Sequence, residues 1–488
     1  MRTIIVVNKP SRWPLKLSGV DVVAAKDYLM MADFGEYKGM WVFNMCRSYR
    51  YQTFGYYVSL LAEARGHRPS PSVATILDMR SPAVARVISE ELESVIEKSL
   101  APIRSSEFTL SVYFGKNLAA RYDRLASRLF NAFPVPFLQA QFVKGKQWTL
   151  QSVGPIAGED IPESHHAFVM EAANAYFAKR RMRVSRPKRT KYDLAILVNP
   201  QDPSPPSNEK ALRKFENAAE DEDIGVEFIG REDYGRLGEF DALFIRETTM
   251  VNHHTFRFAQ KAEAEGLVMI DDSESILKCC NKVFLAELLE KRKIPAPKTV
   301  IVGKDSDRAA ALSLGFPLIL KRPDSSFSQG VVKVDDMAQL EEQFSALFKF
   351  SDLLIAQEYM PTAFDWRVGT LDGEALYVCR YHMAEGHWQI INNREVGEDR
   401  HGRVECIPIH KAPKNVVNLA VKAAKLIGDG FYGVDLKEVG RAAYVVEVND
   451  NPNVDAGVED EILGDRLYEA IINSIADRIR RLRGTEQP

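Results

Sequence analysis

Cysteine is scarce in this chain. Five occur in 488 residues, at Cys46, Cys279, Cys280, Cys379 and Cys406, and no Cys-x-x-Cys pair exists. A zinc ribbon and a thioredoxin-type motif are therefore excluded. The expectation is five buried structural thiols in a reducing, cytoplasmic setting. Long apolar runs are missing too: none approaches the ~18 residues of a membrane span, so no membrane partner is expected. The opening Met1–Pro10 has too short an apolar stretch, and no small-residue cleavage site, for a signal peptide; Ile4–Val7 reads as a first strand. Neither sign of charge dominates, with 64 Lys+Arg against 67 Asp+Glu and a net charge of -3, so this is no polycation built to coat nucleic acid. At 45% hydrophobic and 27% charged residues, wholesale disorder is excluded as well.

Familiar catalytic signatures are also absent. There is no Gly-x4-Gly-Lys-Ser/Thr phosphate loop and no Gly-x-Ser-x-Gly elbow. The one Gly-x-Gly-x-x-Gly, at Gly428, Gly430 and Gly433, follows a helical pattern and opens a strand. That is the reverse of a dinucleotide fingerprint, which follows a strand and opens a helix. The neighbouring histidines His165–His166 and His253–His254 would diverge on a helix, so they are not expected to chelate a metal. No internal repeat and no low-complexity tract is read.

What is present divides by composition and pattern. Length alone predicts about three domains at ~150 residues each. Residues 1–185 read as an N-terminal α/β domain without a catalytic cluster. Within it, Ser81–Leu100 reads as one helix, capped by Ser81 with Pro82 in its first turn, and Phe142–Val153 as strand or hairpin. A basic run from Lys179 to Lys191, broken by Pro187, reads as a solvated helix end and linker rather than an RNA-binding patch, because no aromatics interleave with its charges after Phe177. Residues 190–275 alternate short strands and helices, as a small parallel sheet does. Residues 276–488 have a different rhythm, including a strand at Trp388–Asn392. The last helix carries Leu467, Ile471, Ile472 and Ile475, which suit a subunit interface as well as a core and leave a homo-oligomer open.

The chemistry gathers between Asn281 and Asn453. Asp435 sits on one strand pattern, and Glu447 and Asn449 lie two apart on the next, so the latter two share a face. If the strands pair as a hairpin, three oxygen ligands converge, a donor set that suits Mg²⁺. Lys321 ends the apolar run Pro317–Leu320, a costly place for a lysine unless it meets an anion. The loop Asp324–Gly330, with Ser325, Ser326, Ser328 and Gly330, can fold backbone N–H groups over phosphates. Lys282 opens a helix, and Gln357-Glu358-Tyr359 ends a strand whose backbone could meet an adenine edge.

Taken in order, these residues resemble the ATP-grasp superfamily, and within it the RimK-type, glutathione-synthetase-like ligases. The resemblance covers roughly residues 190–488. It rests on Asn281-Lys282 with Ile294–Thr299, Lys321, Ser325–Gly330, Gln357-Glu358-Tyr359, Asp365-Trp366-Arg367, and Asp435, Glu447 and Asn449. It implies an α/β ATP-grasp fold: two α+β lobes clasping ATP, a nucleotide-binding lobe over about 297–360 and a metal-binding lobe over about 361–488. A small parallel pre-ATP-grasp domain (190–275) and the N-terminal domain precede them. Lys282, Lys321, Ser325, Ser326, Ser328, Gly330, Gln357, Glu358, Tyr359 and Asp365 would hold ATP. Asp435, Glu447 and Asn449 would hold Mg²⁺, with Mn²⁺ as an alternative. Arg367 and Arg380 would be catalytic, and Arg246, Asn392 and Asn393 would face substrate. The implied activity is ADP-forming carboxylate–amine ligation through an acyl phosphate, adding glutamate or another amino acid to a peptide or protein tail. Two other readings stand beside it: an ATP-binding regulatory or scaffold protein without ligase activity, and RNA binding through the Lys179–Lys191 run.

Overall fold

The computed structural model describes residues 3–484 apart from 18, 32–33, 35–39, 185–189, 305–307, 325–329, 385–386 and 391–401; for 178–184 it describes the backbone alone. The chain divides into two units: Met1–Thr190 with Gly230–Phe240, and Lys191–Ile229 with Asp241–Pro488.

In the first unit, strands β1 (Thr3–Val7), β2 (Asp21–Ala24), β3 (Trp41–Asn44) and β4 (Arg68–Ser70) form a parallel sheet in the order β2-β1-β3-β4. An antiparallel sheet follows, made of β5 (Glu107–Tyr113), β6 (Phe137–Lys144) and β7 (Trp148–Pro155). The β6–β7 hairpin answers the expectation at Phe142–Val153. The expected helix Ser81–Leu100 is instead two, Pro82–Glu91 and Glu93–Leu100. The break falls at Leu92, whose φ of -97° and ψ of 4° leave the helical region.

In the second unit, β8 (Tyr192–Leu197), β9 (Ile224–Ile229), β10 (Ala242–Ile245) and β11 (Val268–Ile270) form a parallel sheet ordered β11-β10-β8-β9. Next comes an antiparallel sheet of β12 (Thr299–Gly303), β13 (Leu318–Lys321), β14 (Val331–Val334) and β15 (Leu353–Glu358), ordered β12-β15-β13-β14. A third sheet holds β16 (Phe364–Leu371), β17 (Glu374–His382), β18 (Val404–Ile407), β19 (Phe431–Val439) and β20 (Ala442–Asp450), ordered β18-β17-β16-β19-β20. The expected strand at Trp388–Asn392 is not one where it is described: 388–390 form bends, and 391 and 392 lie outside the described residues.

Alternation decides which face of the β12–β15 sheet is core. Val302, Leu318, Leu320, Val334, Leu354 and Ala356 are buried against helix Met337–Leu347. Each fully buried leucine there contributes ~1.5–3 kcal/mol. The odd partners of the same strands (Thr299, Lys321, Ile355 and Gln357) therefore line the opposite face, which is left for a ligand. The last helix, Asp465–Leu482, is a core element: Leu467, Ile471, Ile472 and Ile475 are fully buried with Tyr192, Phe215 and Ile270 of the parallel-sheet region.

Two sequence expectations are overturned. The chain does contain a repeat. Both parallel sheets have the same strand order and direction. Helices Phe54–Ala64 and His254–Ala264, strands β4 and β11, and helices Pro82–Glu91 and Lys282–Lys291 are each 200 positions apart. Ala62-Glu63-Ala64-Arg65-Gly66 echoes Ala262-Glu263-Ala264-Glu265-Gly266, and both glycines have positive φ. Glu63 accepts the backbone N–H of Val73 at 2.7 Å, as Glu263 accepts that of Ser273 at 2.8 Å. The β6–β7 and β19–β20 hairpins even share a bulge, with Gln141 opposite Ser152 in one and Asp435 opposite Glu447 in the other. Few side chains survive the repetition, which is why sequence inspection passes over it. The cysteines also differ from expectation. Cys379 and Cys406 form a disulfide, because β18 pairs with β17 and sets them opposite one another, Cα atoms 4.1 Å apart. Cys46, Cys279 and Cys280 are free thiols.

Candidate active site

The β16-β19-β20 ladder places three side chains in one row. Arg367 pairs with Asp435, and Asp435 pairs with Glu447. Asn449 stands one step further along the same face. The register shift after Asp435 leaves Val446 as the extra residue, so Asp435 and Glu447 stay level. Asn449 Nδ2 donates to Asp435 Oδ2 at 3.0 Å. Arg367 holds Asp435 in a fork, its Nε on Oδ1 and its second terminal nitrogen 2.9 Å from Oδ2. Gly433 makes room for this grip: a Cβ there would meet Pro452 Cβ at 2.8 Å and Arg367 Cδ at 3.1 Å.

Cations approach the carboxylates from two other elements. Asn281 caps helix Lys282–Lys291 by accepting the N–H groups of Val283 and Phe284, both at 3.1 Å. That start aims Lys282 at the cleft, where its Nζ lies 2.6 Å from Glu447 Oε1. Lys321, at the end of β13, is 8% exposed and has no ion-pair partner within 4 Å among the described residues. Burial, aided by Lys282 and Lys437 against the pull of Glu447, pushes its ammonium down to about 8. Burial alone would raise Glu447, but Lys282 and Lys321 outweigh it and hold the carboxyl below its ordinary value. For Asp435 burial wins over Arg367 and the carboxyl is raised. A cavity of about 540 Å³ opens beside these groups, lined by Lys282, Pro297, Thr299, Lys321, Gln357 and Val446. That is the size of a small-molecule site.

Other expected residues are placed as follows. Gln357 Nε2 donates to Thr299 Oγ1 at 2.9 Å on the cavity wall. Glu358 is tied instead to the backbone, accepting the N–H of Lys298 at 2.7 Å. Tyr359 lies under the ammonium of Lys333, 5.0 Å from the ring centre. Gly330 takes a φ of +69° and accepts the N–H of Arg322 at 3.0 Å, closing the β13–β14 turn. Asp365 is engaged by Lys437 Nζ at 2.6 Å and by Thr362 Oγ1 at 2.9 Å. Ser325, Ser326, Ser328, Asn392 and Asn393 lie outside the described residues.

Two arginines depart from expectation. Arg380 pairs in register with Trp366, one step from Arg367, so it emerges on the opposite face of the sheet. Its guanidinium lies over the rings of Phe364 and Trp366, at 5.0 and 4.9 Å, and 3.6 Å from Glu405. It therefore does not join the face that carries Arg367, Asp435 and Glu447. Arg246 is 1% exposed and fully engaged within the protein. It donates to Ser207 Oγ (3.1 and 2.8 Å), Asn451 Oδ1 (2.7 Å) and the carbonyls of Pro206 and Pro452. Burial lowers its pKa to about 10. Its task is to lock the loop that follows Asn449.

Sequence reasoning missed the supports. Asp271 is 2% exposed and accepts the N–H of Phe431 (2.7 Å) and of Asn451 (2.8 Å), pinning the start of β19 to the end of β20. Burial raises its pKa to about 8. Asn451 in turn donates to the Glu247 carbonyl at 2.7 Å. Tyr381 stacks beside Arg367, 5.1 Å from its guanidinium, with its hydroxyl on Glu459. Only Asn451, in the polar run after Asn449, carried a sequence signal.

The paired sheets, with lysines on one side and paired acids on the other, define a class: ATP-grasp ligases, which join a carboxylate to an amine with ATP and release ADP. The profile of the RimK-like ATP-grasp N-terminal domain matches residues 25–172, and that of the RimK-like ATP-grasp domain matches residues 279–475. The chain belongs to the RimK-like ATP-grasp family. Among curated proteins it is 29% identical over 198 residues to "Alpha-aminoadipate--LysW ligase LysX" of Saccharolobus solfataricus, covering 39% of this chain and 68% of that protein. It is 25% identical over 281 residues to a "Probable alpha-L-glutamate ligase" of Vibrio cholerae, covering 56% of this chain and 88% of that protein. Among solved structures it is similar to the D-alanine–D-alanine ligase of Bacillus anthracis, at 16% identity and TM-score 0.48 over 61% of this chain and 99% of that one. Among the described residues, no helix is long and apolar enough to cross a membrane.

Proposed function

We propose that the cavity between β12–β15 and β16–β20 takes ATP, and that the chain uses it to join an amino acid to the terminal carboxylate of a peptide or protein. Lys282 and Lys321 would grip the phosphates, while Thr299, Gln357 and Val446 enclose the base. A lysine as deeply buried as Lys321, with no ion-pair partner within 4 Å among the described residues and Glu447 and Asp365 acting on it only from further off, is the single observation that carries this reading, because a polyphosphate supplies a direct partner.

Asp435, Glu447 and Asn449 fit a hard divalent ion: two carboxylates level with one another and an amide oxygen one step along the same sheet face. When bound, such an ion neutralises charge on the transferring phosphoryl group. Arg367 keeps Asp435 oriented, and Lys282 keeps Glu447 ionised. In the reaction, a substrate carboxylate oxygen attacks the γ-phosphorus and the bond to the β-phosphate oxygen breaks, releasing ADP. The amine nitrogen then attacks the acyl carbon, phosphate leaves, and the nitrogen loses its proton to give the amide. The protein contributes positioning and electrostatics, so no nucleophilic side chain is required.

The peptide-tail substrate is supported by the relatives, one named for ligating alpha-aminoadipate to LysW and the other for glutamate ligation. The test is mass spectrometry of products from an amino-acid library, peptide acceptors, ATP and Mg²⁺. A mass increase of one residue on an acceptor supports the proposal. ATP binding without any product from any mixture refutes it.

A further inference from the structure

A second group of ligating side chains sits away from the ATP cavity. In the order β11-β10-β8-β9 the chain leaves β8 to one side and returns on the other, so the loops after β8 and β10 part and leave a crevice. Asn199 follows β8 and Glu247 follows β10. The Glu247 side chain is 2% exposed. Its Oε1 accepts from Asn199 Nδ2 at 3.2 Å, and its Oε2 lies 2.8 Å from His254 Nε2. Among the described residues no lysine or arginine pairs with it; its ion-pair partner is His254. A carboxylate this deeply buried needs a cation. The other nitrogen of His254, Nδ1, is buried without a hydrogen-bond partner.

His253 completes the group, against the expectation that adjacent histidines diverge. It is the N-cap of helix His254–Ala264, with an extended backbone (φ -139°, ψ 163°), so the two residues do not share a helical phase. Their rings lie 4.0 Å apart, and His253 Nδ1 is 3.1 Å from Thr255 Oγ1. One ligand atom from each of Glu247, His253 and His254 falls within 4.8 Å of the others.

We propose that Glu247, His253 and His254 bind a divalent transition metal of the zinc type. Two imidazoles and one carboxylate are the donor set of such an ion, with a fourth position left open. The all-oxygen set at Asp435, Glu447 and Asn449 suits Mg²⁺ instead. Asn199 and Thr255 are the outer partners that orient the carboxylate and one ring. A cation here supplies a counter-charge to the buried Glu247 carboxylate. Because the Glu247 carbonyl holds Asn451, it also braces the loop beyond Asn449.

The test uses the full chain, stripped with a chelator and titrated with Zn²⁺ against a chromophoric competitor, with Co²⁺ in parallel for its visible absorption. The expected result is one Zn²⁺ per chain and a Co²⁺ spectrum of tetrahedral intensity. His253→Asn, which puts a favourable N-cap residue at a partly exposed position, and Glu247→Gln should each weaken Zn²⁺ at least about tenfold. Glu447→Gln should leave Zn²⁺ binding unchanged. Should Glu247→Gln fail to fold, as judged by its melting curve, His253→Asn decides alone. No Zn²⁺ uptake by the wild type, full uptake by His253→Asn, or loss in Glu447→Gln overturns the proposal. None of these readouts depends on ligase turnover, so they stand apart from the assignment of substrate.

Discussion

Lys321 gives the sharpest pH signature. Its ammonium is lowered by burial from the ordinary 10.5 to about 8. At 1.36 kcal/mol per pH unit, this is a cost of about 3 kcal/mol to the folded, nucleotide-free protein. Below pH 8 both folded and unfolded chains carry the proton, and the cost is present in full. Between about pH 8 and 10.5 the unfolded chain keeps a proton that the folded chain has lost, so this group makes stability rise with pH. ATP binding has the opposite dependence, because phosphate needs the protonated amine. The free protein is about half protonated at this site at pH 8 and about one-eleventh at pH 9, so the ATP dissociation constant should rise roughly twofold by pH 8 and roughly tenfold by pH 9, relative to pH 6.5. Calorimetric titration of ATP at saturating Mg²⁺, in buffers of differing ionisation enthalpy, should also show proton uptake on binding above pH 8. Lys321→Arg stays charged throughout and should bind ATP with a flat profile over this range. A flat wild-type profile to pH 9.5, or the same slope in Lys321→Arg, would refute the reasoning.

Three further outcomes follow from the geometry. Glu447→Gln and Asp435→Asn should each lower kcat about a thousandfold or more, worth about 4 kcal/mol of transition-state stabilisation, and Asp435→Asn, which takes the carboxylate from the buried Arg367, should also lower the melting temperature; phosphate release against ATP concentration and a melting curve measure the two effects. Gly433→Ala places a methyl group against Pro452 and Arg367. It should cost about 1–3 kcal/mol in urea denaturation and lower turnover by shifting the grip on Asp435, whereas an unchanged midpoint would show that the space is not needed. Asp271→Asn turns one of two acceptors into a donor facing a backbone N–H. About 1–3 kcal/mol of stability should go, with faster amide exchange at Phe431 and Asn451.

Much of the site was legible because its logic is local. Glu447 and Asn449 share a face by the period of two, the expected hairpin brings Asp435 beside them, and Lys321 betrays itself as a charge ending an apolar strand. Lys282 is announced by its cap, Asn281. What stayed hidden depends on partners distant in sequence. Arg380 looked equivalent to Arg367, but the β16–β17 register sends it to the other face, against Phe364 and Trp366. Arg246 looked like a substrate ligand, yet its hydrogen bonds to Asn451 and Pro452 span more than 200 positions. Asp271 reads as one acid in the pair Asp271-Asp272 until β11 places it beneath β19 and β20. The disulfide required β18, a short strand with no alternating pattern of its own. The repeat was hidden because topology and caps persist where side chains do not: Ser72 and Ser81 cap the first copy, Asp272 and Asn281 the second.

The central claim is that a carboxylate is activated by phosphoryl transfer in the cleft of Lys321 and Glu447. Labelling the acceptor carboxylate with ¹⁸O and following the phosphate released tests it most directly. The account predicts ADP, an amide product, and inorganic phosphate carrying one ¹⁸O atom taken from the carboxylate. AMP with pyrophosphate, or phosphate free of label beside the same amide, would contradict it.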